Sequence, residues 1–223
     1  MCGRFTQKMT WAELVELYRL TQPPLNLEPR YNVAPTTQVL AIRGEAGERR
    51  ADMMRWGLVP SWWKEAKEPP NTFNARSDRI ATAPMYRSAF KARRCIVPMS
   101  GFYEWKTEPA KNGGKPVKRP NYITMASGEL MSVAGIWEPR NVGGEETMSC
   151  SIVTTDANDT MAPIHDRMPV IISKFDLDAW LSGRADTEIL RPCPPAWISA
   201  VEVSTFVSNV RNQGAQCIEP LQS

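Results

Sequence analysis

The chain has 223 residues, 42% of them apolar and 23% charged, which is ample for one packed core without disulfide or metal staples. Apolar runs such as Val39-Leu40-Ala41-Ile42 and Val170-Ile171-Ile172 fall far short of the roughly 18 residues a bilayer span needs, and no apolar leader follows Met1, so a cytoplasmic protein with no membrane partner is expected. The net charge of +3 is uneven: residues 1–120 hold 21 of 27 Lys/Arg and 11 of 24 Asp/Glu, which suits a polyanion but equally a solvated face.

Thr10 and Glu13 have the spacing of a capping box, and Trp11, Leu14, Val15 and Tyr18 share one helical face, so an amphipathic helix is predicted over 11–20. A Pro-rich stretch, 23–35, reads as an extended loop. Residues 38–43 and 50–56 read as strands about a Gly-containing turn at 44–47. Residues 57–83 are loop-rich, and a short helix is expected near 84–92 with Pro84 in its first turn. Candidate strands follow at 94–98, 101–106, 120–126, 130–138, 149–155, 169–173 and 199–203, all rich in β-branched and aromatic residues. Segments 107–119 and 139–148 read as exposed connections. Ser173 can cap a helix over 174–182 that stops at Gly183. The pattern implies one α+β domain over 1–223, a mostly antiparallel sheet curled towards a barrel and flanked by a few helices.

Five cysteines lie at 2, 95, 150, 193 and 217, with no CxxC pair, which argues against a disulfide framework. Cys95 and Cys150 read as small buried hydrophobes. A single histidine argues against a zinc site, and no other metal or cofactor is expected.

Cys2 stands out by position. Methionine aminopeptidases remove Met1 before small residues, which would leave an α-amine and a thiol on one framework. Reference pKa values of about 8 and 8.5 leave part of this amine neutral near pH 7, able to condense with an aldehyde while the thiol closes a five-membered ring. The thiolate could instead attack an acyl group, or the end could simply fray. His165, between Pro163 and Pro169, suits proton transfer in a fixed loop, although a lone histidine is more often structural or exposed. Glu104 lies in an aromatic strand that would desolvate it and raise its pKa, suiting a general acid or base, although a half-exposed glutamate paired with Lys106 or a neighbour fits as well. Asn74 and Arg76, two apart in an extended segment, can face one oxyanion or phosphate, although an ordinary turn fits as well. Trp62 and Trp63 in a loop-like stretch can stack on bases, and at least one of the two is expected to be buried.

In this order, Met1-Cys2-Gly3-Arg4-Phe5, Tyr31-Asn32-Val33-Ala34-Pro35, Arg55-Trp56-Gly57-Leu58-Val59-Pro60-Ser61-Trp62, Asn74-Ala75-Arg76, Cys95-Ile96-Val97-Pro98, Gly101-Phe102-Tyr103-Glu104-Trp105, His165-Asp166-Arg167-Met168-Pro169 and Val210-Arg211-Asn212-Gln213-Gly214 resemble the SOS response-associated peptidase (SRAP) family over nearly the whole chain. The resemblance implies a monomer that senses abasic sites in single-stranded or junction DNA, among replication-fork proteins and on the nucleoid. It implies a thiazolidine cross-link through Cys2 after autocatalytic loss of Met1, with abasic-site lyase activity as a side branch. Asn74 would steady the adduct, Glu104 and His165 would move protons, and Arg4 and Arg76 would hold phosphates flanking the lesion. The rival readings are a thiol peptidase acting on other proteins and a non-covalent reader of modified DNA.

Overall fold

Alternating apolar residues build two sheets in the computed structural model, which describes residues 2–45, 47–65, 67–109, 114–142 and 145–221. In chain order the strands are β1 (Phe5–Gln7), β2 (Arg30–Val33), β3 (Gln38–Glu45), β4 (Glu48–Trp56), β5 (Asn74–Arg76), β6 (Arg94–Met99), β7 (Gly101–Glu108), β8 (Val117–Met125), β9 (Met131–Val142), β10 (Glu145–Asp156), β11 (Arg167–Pro169) and β12 (Ile198–Glu202). The α-helices are α1 (Trp11–Tyr18), α2 (Arg87–Ala92) and α3 (Leu177–Leu181).

The first sheet is antiparallel, in the order β12-β8-β7-β1-β2. The second closes on itself. Strands β4, β3, β6, β9 and β10 pair in turn, and β10 returns to β4 through a short parallel register at Ser149↔Arg55 and Cys150↔Trp56. The expected barrel-like α+β fold is therefore found. Its interior is crowded: a Cβ on Gly135 would sit 2.8 Å from Cys95 Sγ and 3.2 Å from the Ser151 carbonyl oxygen.

Three apolar clusters follow from this layering. Phe5, Val33, Phe102 and Ile123 of the first sheet pack with barrel residues Val39, Trp56, Val97 and Val133 in the central core. Phe5 and Trp56 meet at 4.7 Å between ring centroids. The opposite side of the barrel, with Leu40, Ile42, Ile96 and Ile136, packs with Leu14, Phe90 and Trp180 of the three helices. A smaller cluster joins Tyr103 and Tyr122 to Val203, Val207 and Cys217 of the C-terminal segment. Gln7 stitches the sheets together: its Nε2 donates to the Leu40 and Pro98 carbonyls and its Oε1 accepts from Leu40 N–H, each at 3.0 Å. All five cysteines are buried free thiols. No helix among the described residues is long and apolar enough to cross a membrane.

Several expectations need correction. The Pro-rich stretch is not all loop, because Arg30–Val33 pairs with β1 as β2. The supposed connections 107–119 and 139–148 are largely ladder: Glu108↔Val117 and Pro139↔Met148 through Val142↔Glu145 are paired, so both are projecting hairpins. Residues 110–113, 143 and 144 lie outside the described residues. The helix predicted over 174–182 shrinks to Leu177–Leu181, with Asp176 at its cap; Ser173 Oγ accepts only from Phe175 N–H. The helix near 84–92 begins at Arg87, since Tyr86 and Arg87 N–H both bond Ala83 in a preceding turn.

Candidate active site

Strand β10 positions two of the candidate residues, one from each edge. Along one edge β4 occupies Ser149 and Cys150, then β5 takes over from Ile152 to Thr154. Between them the chain leaves the sheet over 57–73. It departs at Gly57, whose φ of +140° is a conformation open to glycine and strained for other residues. That excursion carries Trp62 and Trp63, and its return strand delivers Asn74. Along the other edge β9 pairs as far as Ile152↔Gly135, and β11 takes over at Thr154↔Pro169. The tight turn leading into β11, where His165 N–H bonds the Met161 carbonyl at 2.9 Å, presents His165.

Glu104 and Cys2 come from the other sheet. Strand β7 carries Glu104, and the segment entering β1 carries Cys2. That segment is fastened by the Tyr103 N–H to Arg4 carbonyl bond of 2.9 Å and by Phe5↔Phe102 pairing. The two sheets thus close on one locus. Asn74 Nδ2 donates to the Cys2 carbonyl oxygen at 2.8 Å. Asn74 Oδ1 is buried and bonds none of the described residues. Tyr86 Oη donates to the Asn74 carbonyl at 3.1 Å. Sequence reasoning missed Tyr86, because a tyrosine at a helix entry carries no local signal of what its hydroxyl will meet.

Burial sets the proton affinities. Cys2 is wholly enclosed in the central core, and that burial, reinforced by the negative charge of Glu104, pushes its thiol well above the ordinary range. Glu104 is 4% exposed, and burial lifts its carboxyl above the usual carboxylate range, with His165 acting in the opposite sense. His165 is half-buried, and its Nδ1 accepts the Arg167 N–H at 3.0 Å. Asp166 Oδ1 lies 2.9 Å from the same Nδ1. Cys2, Asn74, Glu104 and His165 therefore lie together: a thiol, an amide bonded to its backbone carbonyl, a buried carboxyl and an imidazole.

The other candidates are placed differently. Arg4 Nη1 donates to Asn32 Oδ1 at 2.7 Å and to the Val207 carbonyl at 2.9 Å, and its guanidinium lies over the Trp105 ring. Arg76 is exposed and forms two 3.0 Å bonds to the Asp78 carboxylate. The expectation that one of the tandem tryptophans is buried is wrong. Trp62 is 50% exposed and Trp63 is half-buried, because the excursion runs outside both sheets. The two rings lean on one another at 5.8 Å, and Trp63 Nε1 donates to the Lys67 carbonyl at 2.9 Å.

Two of the sequence motifs meet in a clamp away from the thiol. Asn32 Nδ2 lies 3.1, 3.0 and 2.9 Å from the carbonyls of Val207, Asn209 and Asn212. Gln213 accepts from Tyr31 N–H at 3.2 Å and donates to the Asn32 carbonyl at 3.1 Å.

Comparison with known proteins follows the same outline. The sequence profile of the family described as SOS response associated peptidase (SRAP) matches residues 1–210. Abasic site processing protein YoqW of Bacillus subtilis (strain 168) is 34% identical over 227 residues, covering 98% of this chain and 99% of that protein. Abasic site processing protein YedK of Escherichia coli (strain K12) is 34% identical over 232 residues, covering 99% and 100%. A crystal structure of a Bacteroides thetaiotaomicron protein shares the fold, with a TM-score of 0.86 over 99% of this chain and 100% of that one at 23% identity. With a profile match over nearly its whole length and end-to-end relatives at this identity, the chain belongs to the SRAP family.

Proposed function

We propose that this chain processes abasic sites in DNA by capturing the open-chain aldehyde of the abasic sugar on Cys2, as a thiazolidine, once Met1 has been removed. The observation that carries this reading is the convergence of Cys2, Asn74, Glu104 and His165 from two sheets onto one buried locus. The relatives YoqW and YedK are both named abasic site processing proteins, which points the same way.

The electrostatics suit the chemistry. An abasic sugar is mostly a closed hemiacetal, and its opening needs a proton on the ring oxygen and another taken from the hydroxyl. His165 and Glu104, the latter with its raised proton affinity, can serve these transfers. The Cys2 amine then adds to the aldehyde carbon, and Glu104 protonates the departing hydroxyl so that water leaves and an imine forms. The thiol adds across the C=N bond: sulfur bonds to carbon, and the thiol proton passes to nitrogen through Glu104. The net change is loss of one water. Asn74 holds the Cys2 carbonyl throughout. If the imine loses a proton from the neighbouring carbon before sulfur closes, β-elimination cuts the strand, which is the lyase branch.

Burial raises the proton affinity of the Cys2 thiol, which weighs against a thiol peptidase acting on other proteins, since that needs a thiolate. It suits a thiol that adds second, to an imine already formed. Single-stranded DNA is the favoured form of substrate, because a stacked duplex must first be opened to present the sugar. Arg76 and the Trp62–Trp63 pair are the proposed contacts to the flanking phosphate and bases.

Intact mass spectrometry tests the proposal directly. Protein incubated with an abasic single-stranded oligonucleotide is expected to gain one strand less one water, on a chain lacking Met1, in a form that survives denaturant. Cys2→Ala is expected to show no such species, and equal cross-linking by that variant would overturn the mechanism.

A further inference from the structure

The hairpin formed by β7 and β8 extends beyond the sheet that supports it. Strand β1 pairs with β7 only at Gly101 and Phe102, and β12 follows β8 only as far as Asn121. From Lys106↔Arg119 to Glu108↔Val117 the two strands pair only with each other among the described residues. A two-stranded ribbon has no core of its own and gains little by projecting into solvent. This ribbon grows from the strand that carries Glu104. Lys106, two residues further on, lies on the same face about 7 Å away.

Its charge is distinctive. Residues 106–119 hold five Lys/Arg, at 106, 111, 115, 118 and 119, against one carboxylate, Glu108. Arg119 is neutralised by Glu108 at 2.7 Å and Glu202 at 2.8 Å, and Lys106 shares Glu108 at 3.2 Å. Lys115 and Lys118 are exposed and form no ion pair among the described residues. Arg43, Arg49, Arg93 and Arg167 elsewhere are each tied to a carboxylate, at Asp52, Asp178, Glu138 and Asp156. The other projecting hairpin, β9–β10, has the opposite sign near its tip, with Arg140 against Glu145 and Glu146. The ribbon that grows from the Glu104 strand thus offers a polyanion two exposed cations, Lys115 and Lys118, with no ion pair among the described residues.

We infer that the β7–β8 ribbon is a second DNA-contact surface, in which Lys115 and Lys118 hold backbone phosphates of the strand flanking the captured lesion. This rests on the DNA reading above and adds to it a place where the strand runs. The contact is to phosphate, so it carries affinity and salt dependence without base preference.

The test uses a single-stranded oligonucleotide bearing a tetrahydrofuran abasic analogue, which has no aldehyde and so binds reversibly. Affinity is measured from low to high salt for the wild type, for the double variant Lys115→Gln/Lys118→Gln, and for a control, Lys91→Gln/Lys174→Gln, that removes two exposed lysines outside the ribbon. The ribbon variant is expected to flatten the log–log salt slope by about 1.4, roughly 0.7 per lost phosphate contact. The control is expected to keep the wild-type slope. An unchanged slope in the ribbon variant, or an equal loss in the control, overturns the inference. Absence of any wild-type adduct would instead count against the thiazolidine chemistry, and the slope comparison would still decide the ribbon's role.

Discussion

Glu104 shows how one side chain can be tuned by place alone. Its carboxyl is raised because burial penalises the charged form, so its proton is held more tightly in the folded than in the unfolded chain. A raised folded-state value means this contribution to stability is complete below the unfolded carboxylate range and is lost as pH climbs through the folded value. Glu104→Gln, neutral at every pH, removes that loss. The variant is expected to match the wild type in urea denaturation near pH 4, to exceed it at pH 7, and to lose adduct formation. A stability difference independent of pH would show that the carboxyl is not held up by burial. At this scale residue types were legible in the sequence. A carboxylate among aromatics and a cysteine at position 2 both announce chemistry. The exposure of Trp62 was not legible, because tryptophan composition favours the core and the loop's path outside both sheets is a tertiary fact.

At the scale of elements, helix α1 was the clearest prediction and the structure supplies its cause. Thr10 Oγ1 accepts from Glu13 N–H at 3.3 Å, and Glu13 Oε2 accepts from Thr10 N–H at 2.6 Å. Leu14 and Tyr18 then face the core, and Tyr18 Oη meets Ser132 Oγ at 2.9 Å. Thr10→Ala is expected to cost about 1 kcal/mol. Adduct kinetics should not change, because α1 packs on the side of the barrel away from Cys2. Denaturant titration and single-turnover cross-linking check both halves, and a slowed adduct would tie the helix to the site. Strands β1, β2 and β5 were not legible as strands. Each is three or four residues long, too short for period-two alternation to register: β1 and β5 lie against the longer β7 and β10, and β2 in turn pairs with β1. The projecting hairpins were misread for a related reason, since polar, Gly-containing sequence on a solvated ribbon resembles loop composition.

Across the whole molecule, the two ends of the chain are tied by amides. Asn32 and Gln213 are 181 residues apart, yet their side chains complete one hydrogen-bond network that also holds Arg4. Asn32→Ala leaves Arg4 and three carbonyls without this partner and is expected to cost about 2–3 kcal/mol. It should also open residues 204–214 to limited proteolysis; a digestion pattern identical to the wild type would show that the clamp holds nothing. The sequence by itself determined the α+β class, the helix cap, the apolar alternation of the long strands and the residue types able to do chemistry. These are local properties, written in spacings of two to four residues and in side-chain functional groups. Only the tertiary structure decided that β5 and β11 take over the two edges of β10, bringing Asn74 and His165 to Cys2 and Glu104. That outcome depends on which strand edges are left open after barrel closure, a long-range consequence of packing that no short window of sequence contains.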